Sequence, residues 1–291
     1  MNQSQMIQQL NHNIEETSEK VTEAYSVYFN AVEKFLKDTM FTDGILNPTF
    51  SKDYVTSGLA ARREQLEEFL TDLVNNSMED AFAIGILFFN TVTDLSETTE
   101  HNGSTVKADT LKLITEMLRN TENRIKQLVN KLYQDALMVA VSARRASLAE
   151  LDSELPELTV EEFLEQLYAN GFVGIVDKAN RRWKPEVYAK MVLRTKEIEA
   201  FIAIQQGLAL SNQLDLAYIA GKPVDNPCND WIGVVISLNG KTARFPTYQQ
   251  VKETLEVFHP NCQHYLIPIK DLSNVPEWVR NKTKQKLGIK V

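Results

Sequence analysis

Across the first 150 residues the apolar positions recur with the period of a helix. Met6, Leu10, Ile14, Val21, Tyr25, Tyr28, Val32, Phe35 and Leu36 follow one another mostly at spacings of three, four and seven, which lines one face of a long amphipathic helix. Thr42, Asp43 and Gly44, then Asn47 and Pro48, carry the punctuation of a connector. A second helix is predicted over about 58–94 through Leu66, Phe69, Leu70, Leu73, Val74, Phe82 and Leu87. It turns apolar on nearly every side at 81–89, as the buried centre of a bundle does. The polar stretch 96–104, with His101, Asn102 and Gly103, reads as a loop. A third long helix runs from about Thr105 to Asp152, with Leu111, Ile114, Leu118, Ile125, Leu128, Leu132 and Leu137 on its inner face. Long helices joined by short loops pack as antiparallel neighbours, so residues 1–153 read as an elongated helical bundle.

The pattern changes at Glu154, Leu155 and Pro156. Thr159 followed by Glu162 is a capping-box signature for a short helix over 160–169, which Asn170 and Gly171 would end. Lys184 and Pro185 open another helix, with Tyr188, Met191, Val192, Thr195, Ile198, Glu199 and Ile202 on one face. After about Ser211 the period becomes two. Leu214, Leu216 and Tyr218 alternate, and Asp230–Leu238 is a predicted strand. Asn239 and Gly240 suit a type I′ turn, whose two central residues both need positive φ, so Lys241–Phe245 is the expected return strand of a hairpin. Tyr265–Ile269 is a last short strand, and Ser273–Pro276 leads into a final helix that Gly288 stops. The fold class is therefore α+β, mainly α, with the bundle at 1–153 followed by a smaller domain at 154–291 of helices against a short antiparallel sheet.

Composition narrows the classes. The chain has 291 residues, 43% hydrophobic and 24% charged, which is ordinary globular usage and excludes a disordered or low-complexity protein. Its longest apolar run, Ala81–Phe89, is far short of the ~20 residues of a membrane span. The opening residues have neither the positive charge nor the apolar stretch of a secretory signal, so the protein is expected to be made and kept in the cytoplasm. Net charge is −8, of which residues 278–291 contribute +5, so residues 1–277 carry −13. Arg280, Lys282, Lys284, Lys286 and Lys290 form the basic cluster; such an end is either a solvated surface or a contact for nucleic acid or an acidic partner.

The densest candidate chemistry lies between Cys228 and His264. Both cysteines of the chain fall here with two of its four histidines, as Cys228, His259, Cys262 and His264. Thiolate and imidazole are preferred zinc ligands, and a tetrahedral structural site wants four of them. The spacing lacks paired CxxC knuckles, because Trp231 stands where a partner for Cys228 would be. On the other reading the cysteines are small buried hydrophobes, or a redox pair, and the histidines bond to backbone. There is no GxSxG elbow, P-loop, HExxH or GxGxxG after a strand. Glu197 and Glu199, near Arg194 on their helix, read as solvated surface, and His12 lies on a polar helix face.

Three ordered stretches resemble the minor capsid or head-morphogenesis proteins of tailed bacteriophages, the group that includes the Mu F-like proteins. Gly171 to Asp177 and Trp183, running into Tyr188, Arg194 and Thr195, is similar to that family's "G-x-x-x-x-V-D-x-x-G-R-x-W … Y-x-x-M-V-x-R-T" segment. Cys228, Trp231, Gly233 and Ser237 match its "C-x-x-W-x-G-x-x-x-S" strand. His259, Pro260, Asn261, Cys262, Gln263 and His264 resemble its "H-P-N-C-R-H/C" ending. Asn180 and Gln263 depart from the family's glycine and arginine, and residues 1–150 carry no matching motif.

The resemblance implies a structural, non-enzymatic virion protein. It would be made in the host cytoplasm and built into the head at or near the portal, touching the portal or major capsid protein. It would act in head assembly and in DNA packaging or ejection, with a sequence-independent contact to double-stranded DNA through the basic tail. The resemblance also implies that a metal site, if zinc is the cofactor, either is incomplete here, where Trp231 stands in place of the second cysteine of many relatives, or must recruit His264 as the fourth ligand. The alternative class is a metal-dependent hydrolase or nuclease using His259, Cys262 and His264. A third reading makes the helical half an adaptor for another helical protein.

Overall fold

The computed structural model describes residues 1–47, 49–95, 108, 110, 112, 115–116, 118–134, 158–172, 175–176 and 180–289. The predicted loop with His101, the last part of the third predicted helix, the change of pattern at 154–156, Asp177 and Lys290 lie outside these residues. Helix α1 spans Gln3–Met40, and all of its predicted inner positions from Met6 to Leu36 are buried. Helix α2 spans Lys52–Thr93. Its buried stripe runs through Leu59, Leu66, Leu70, Val74, Met78, Ala81, Ile84 and Phe88 in steps of three, four and seven. Phe69 and Leu87, expected inside, stand off that stripe and are 47% and 50% exposed, so α2 stays amphipathic through 81–89. Residues 118–134 form α3, with Leu118, Ile125, Leu128 and Leu132 buried as predicted.

Contacts gather the chain into two compact units, each drawn from separated segments. One comprises Met1–Ser18, Leu73–Leu111 and Met191–Val291; the other comprises Glu19–Asp72 and Lys112–Lys190.

In the second unit, β1 (Phe41–Thr42) and β2 (Ile45–Leu46) form a minimal hairpin. Asp43 and Gly44 turn it with φ of 53° and 83°, the doubly positive backbone of a type I′ turn. The hairpin is extended by Val160 N–H donating to Gly44 O and Leu46 N–H donating to Leu158 O, both 3.0 Å. Helix α4 (Val160–Gln166) begins with the predicted capping box and ends in a π-turn, Leu167–Gly171. Strands β3 (Ile175–Val176) and β4 (Arg182–Trp183) pair antiparallel. Phe29 with Phe172, Phe41 with Phe163, and Phe50 with Tyr133 supply aromatic packing.

In the first unit, a three-stranded antiparallel sheet has the order β6–β5–β7, with β5 at Leu216–Ala220, β6 at Val235–Ser237 and β7 at Tyr265–Ile269. Helix α5 (Pro185–Ser211) brings Phe201 against Phe88 and Tyr265, an edge-to-face cluster of three rings. Helix α7 (Glu277–Leu287) buries Val279 with Val235, Phe245, Ile269 and Val275, and Gly288 stops it with φ of 69°. Helix α6 (Tyr248–Glu253) was not predicted, although Thr247 and Gln250 make its capping box.

Two strand expectations are corrected here. Residues 227–231 form a 3-10 turn, which leaves only three residues of the predicted strand over 230–238 in β6. No return strand follows Gly240. The amides that would pair with one are taken by side chains. Asp215 accepts from Asn239 N–H (3.1 Å), Thr242 N–H (2.7 Å) and the Ser237 hydroxyl (2.9 Å); Ser237 Oγ accepts from Gly240 N–H. Asn239 caps its own turn through Lys241 N–H (2.9 Å), and only Gly240 of the pair has positive φ. Side chains that bond neighbouring backbone in this way compete directly with a ladder.

Candidate metal centre

Three of the four Cys and His side chains singled out by the sequence, Cys228, His259 and Cys262, converge in the first unit from two short segments, and His264 lies against Cys262. Cys228 sits at the start of the 3-10 turn Pro227–Trp231, where Asn226 Oδ1 accepts its N–H at 2.9 Å. His259 and Cys262 are the two ends of one β-turn, closed by Cys262 N–H donating to His259 O at 2.9 Å. Pro260 fixes the second position of that turn, and Asn261 takes the third with φ of 64°, the positive value a type II turn requires. The His-Pro-Asn-Cys motif is thus a turn that points two ligand-type side chains at one place. His264 follows on the approach to β7. The last registered pair, Ala220 with Tyr265, sets Gly221 beside it. A Cβ on Gly221 would fall 2.6 Å from the His264 ring, so only glycine admits the imidazole there.

The ligand atoms of Cys228, His259 and Cys262 all lie within 4.8 Å of one another. Cys228 Sγ is 2.8 Å from His259 Nε2 and 3.8 Å from Cys262 Sγ; His264 Nδ1 is 3.1 Å from Cys262 Sγ. His259 Nδ1 faces Pro260 O at 2.8 Å. A carbonyl only accepts, so Nδ1 carries the proton and Nε2 presents its lone pair to the cluster. Phe258 N–H donates to Cys262 Sγ at 3.3 Å. Both cysteines are buried, as is His264, whose Nε2 has no hydrogen-bond partner among the described residues. No aspartate or glutamate among the described residues joins the set. Burial, and then the adjacent Cys262, push the Cys228 thiol up to about 11, which makes it a poor free nucleophile. Burial, then His259, lower the His264 imidazole below its usual range.

The other motif residues support this architecture. Asn261 N–H donates to Thr195 Oγ1 at 3.0 Å, and Thr195 donates to Met191 O at 2.8 Å. Trp231 Nε1 donates to Glu256 at 2.7 Å, and Lys286 both pairs with Glu256 (3.1 Å) and lies 4.7 Å from the Trp231 ring. Gly233 has φ of 84° beneath Trp278. Arg194 pairs with Glu15. In the other unit, Gly171 packs on Leu167, Trp183 lies in β4 with Arg181 over its ring, and Tyr188 is half-buried.

Of the basic residues, Arg280, Lys282, Lys284 and Lys286 lie on α7; Lys284 is exposed, Arg280 and Lys282 are half-exposed, and Lys286 is engaged internally. His12 is exposed. Glu197 departs from its expectation. It is buried, accepts from Ser77 and Thr17, and burial drives its carboxyl up to about 8, with Asp80 adding to the rise. Helical periodicity misses this because α5 is covered on both sides. Glu199 is half-buried between Lys196 and Lys252.

The chain is mainly α with a small antiparallel sheet, and its Cys/His cluster is held by backbone turns. The family model described as phage minor capsid protein 2 matches residues 55–287, and the chain belongs to that family. It is accordingly a structural bacteriophage protein of the virion. The match reaches about a hundred residues before the first motif and takes in α2, where the sequence offers no recognisable signature. No curated protein and no solved structure shows a significant similarity to the chain. No helix of the described residues is long and apolar enough to cross a membrane.

Proposed function

We propose that this protein is a minor head component seated at or near the portal, assembled in the host cytoplasm and acting in DNA packaging or ejection. The family match over 55–287 carries this reading. The docking element for the portal or major capsid protein lies within residues 1–153. A groove of about 460 Å³ between α1 and α2 supports it, lined by Ala24, Val27, Ala31, Leu66 and Phe69, with Val27 63% and Phe69 47% exposed. On α7, Arg280 and Lys284 on one side and Lys282 on the other are the contacts for DNA phosphates.

The deciding experiment is quantitative mass spectrometry of purified proheads and mature particles, normalised to the portal protein. A few copies per portal support the reading; absence from both particles overturns it. The DNA contact is tested by changing Arg280, Lys282 and Lys284 together to Gln, because removing α7 would also remove buried Val279 and Thr283. Affinity should drop for every sequence, and the slope of log affinity against log salt should fall by about 0.9 for each phosphate contact removed. An unchanged slope overturns the contact.

A further inference from the structure

Two sulfurs and one imidazole from separate segments meet, and a second imidazole lies against one of the sulfurs. The Cys228 and Cys262 sulfurs are 3.8 Å apart, far beyond the about 2.0 Å of a disulfide. Two thiolates each about 2.3 Å from one tetrahedral zinc stand about 3.8 Å apart. His259 arrives with the tautomer a metal needs, its Nδ1–H fixed on Pro260 O and its Nε2 lone pair turned to the sulfurs. Phe258 N–H is already directed at Cys262 Sγ, where it would stabilise a thiolate. His264 is buried and kept beside Cys262 by the glycine at 221, with Nδ1 3.1 Å from Cys262 Sγ.

We propose that this cluster is a structural zinc site, in which Cys228 Sγ, Cys262 Sγ and His259 Nε2 bind one Zn²⁺ ion and His264 Nδ1 closes the tetrahedron. Thiolate and imidazole together select zinc over magnesium or calcium. On binding, each cysteine gives its thiol proton to solvent, so two negative sulfurs balance the dication and a neutral centre is buried. The site clamps the 3-10 turn, the His-Pro-Asn-Cys turn and the start of β7 to one point.

The test uses the full chain, stripped by a chelator under reducing conditions and reloaded with zinc or with cobalt. The expected results are one zinc per chain, two protons released per zinc, a higher Tm on loading, and a cobalt spectrum with thiolate charge-transfer bands and the intense visible bands of a tetrahedral ion. X-ray absorption on the zinc-loaded protein should count two sulfur and two nitrogen ligands without any substitution. Cys228→Ser and Cys262→Ser should each weaken zinc by more than the ~100-fold that marks the upper end of a merely supporting residue. No retained zinc, or a spectrum with fewer than two sulfurs, overturns the site. A His264→Ala protein that folds and keeps the same nitrogen count and affinity overturns the fourth ligand.

Discussion

The backbone N–H of Asn261 donates to the hydroxyl of Thr195 at 3.0 Å, tying the turn that holds His259 and Cys262 to helix α5. The two residues are 66 apart in sequence and belong to different motifs; the bond gives the Thr195 hydroxyl its role, while Asn261 is suited to its position by its positive φ. Thr195→Val should loosen the turn and weaken zinc about 10-fold, the scale of a residue that orients ligands. Thr195→Ser should restore it. Competition titration with a chromogenic chelator measures both, and equal affinities in all three proteins would refute the tether.

Glu197 makes stability depend on pH in the direction opposite to an ordinary ion-paired carboxylate. Burial raises its folded-state value to about 8, so the folded protein binds a proton that the unfolded chain, with a carboxyl near about 4.3, has already lost. The stabilisation is complete below the unfolded value and is lost as pH rises toward about 8, at a slope of up to about 1.4 kcal/mol per pH unit. Glu197→Gln should flatten this fall in thermal melts taken between about pH 5 and about pH 8. A variant that loses stability as steeply as the parent would show that Glu197 is not the source.

Asp215 behaves in the usual sense. Burial alone would raise its carboxyl, but the bonds from Thr242, Asn239 and Ser237 outweigh that and hold it below the aspartate range. Its contribution is present above the ordinary aspartate value and is lost as pH falls through the lowered one. Asp215→Ala strips the partners from two backbone amides and a hydroxyl at the end of β6, at an expected cost of about 1–3 kcal/mol in urea denaturation. A loss near zero would mean water replaces the carboxylate without penalty.

Much of the fold was legible because it follows local chemistry. The periodicity of α1 located its buried apolar positions from Met6 to Leu36 but not buried Thr17 and Ser18, and Thr159 with Glu162 marked the start of α4. The two turn signals behaved differently for a physical reason. Asp43–Gly44 has no competing side chain and closes a hairpin, whereas Asn239–Gly240 follows Ser237 and faces Asp215, which take the amides a return strand would need. Nothing local to residues 230–245 announces a carboxylate supplied from position 215. The cluster was legible in its membership and not in its geometry. The sequence placed Cys228, His259, Cys262 and His264 together, but the 3-10 turn, the role of Pro260 and Asn261, and the need for glycine at 221 depend on register and backbone angles.

Gly233 offers a test of such a backbone constraint. Its φ is 84°, and a Cβ would lie 2.3 Å from the Trp278 ring. Gly233→Ala should cost about 1–2 kcal/mol from the left-handed backbone alone. Adding Trp278→Ala should recover the steric part and leave that backbone cost, as chemical denaturation of the single and double variants would read. Full recovery in the double variant would assign the whole cost to the ring.

The discontinuous make-up of the two units also bears on heredity. One unit uses residues from both ends of the chain, and the other uses residues between 19 and 190 in two pieces. A single genetic crossover falling anywhere from codon 19 to codon 190 therefore parts segments that share a core. Exchange of the gene whole keeps both cores intact, whereas a crossover inside that span sets α1, α2 and α5 segments of different origin against one another.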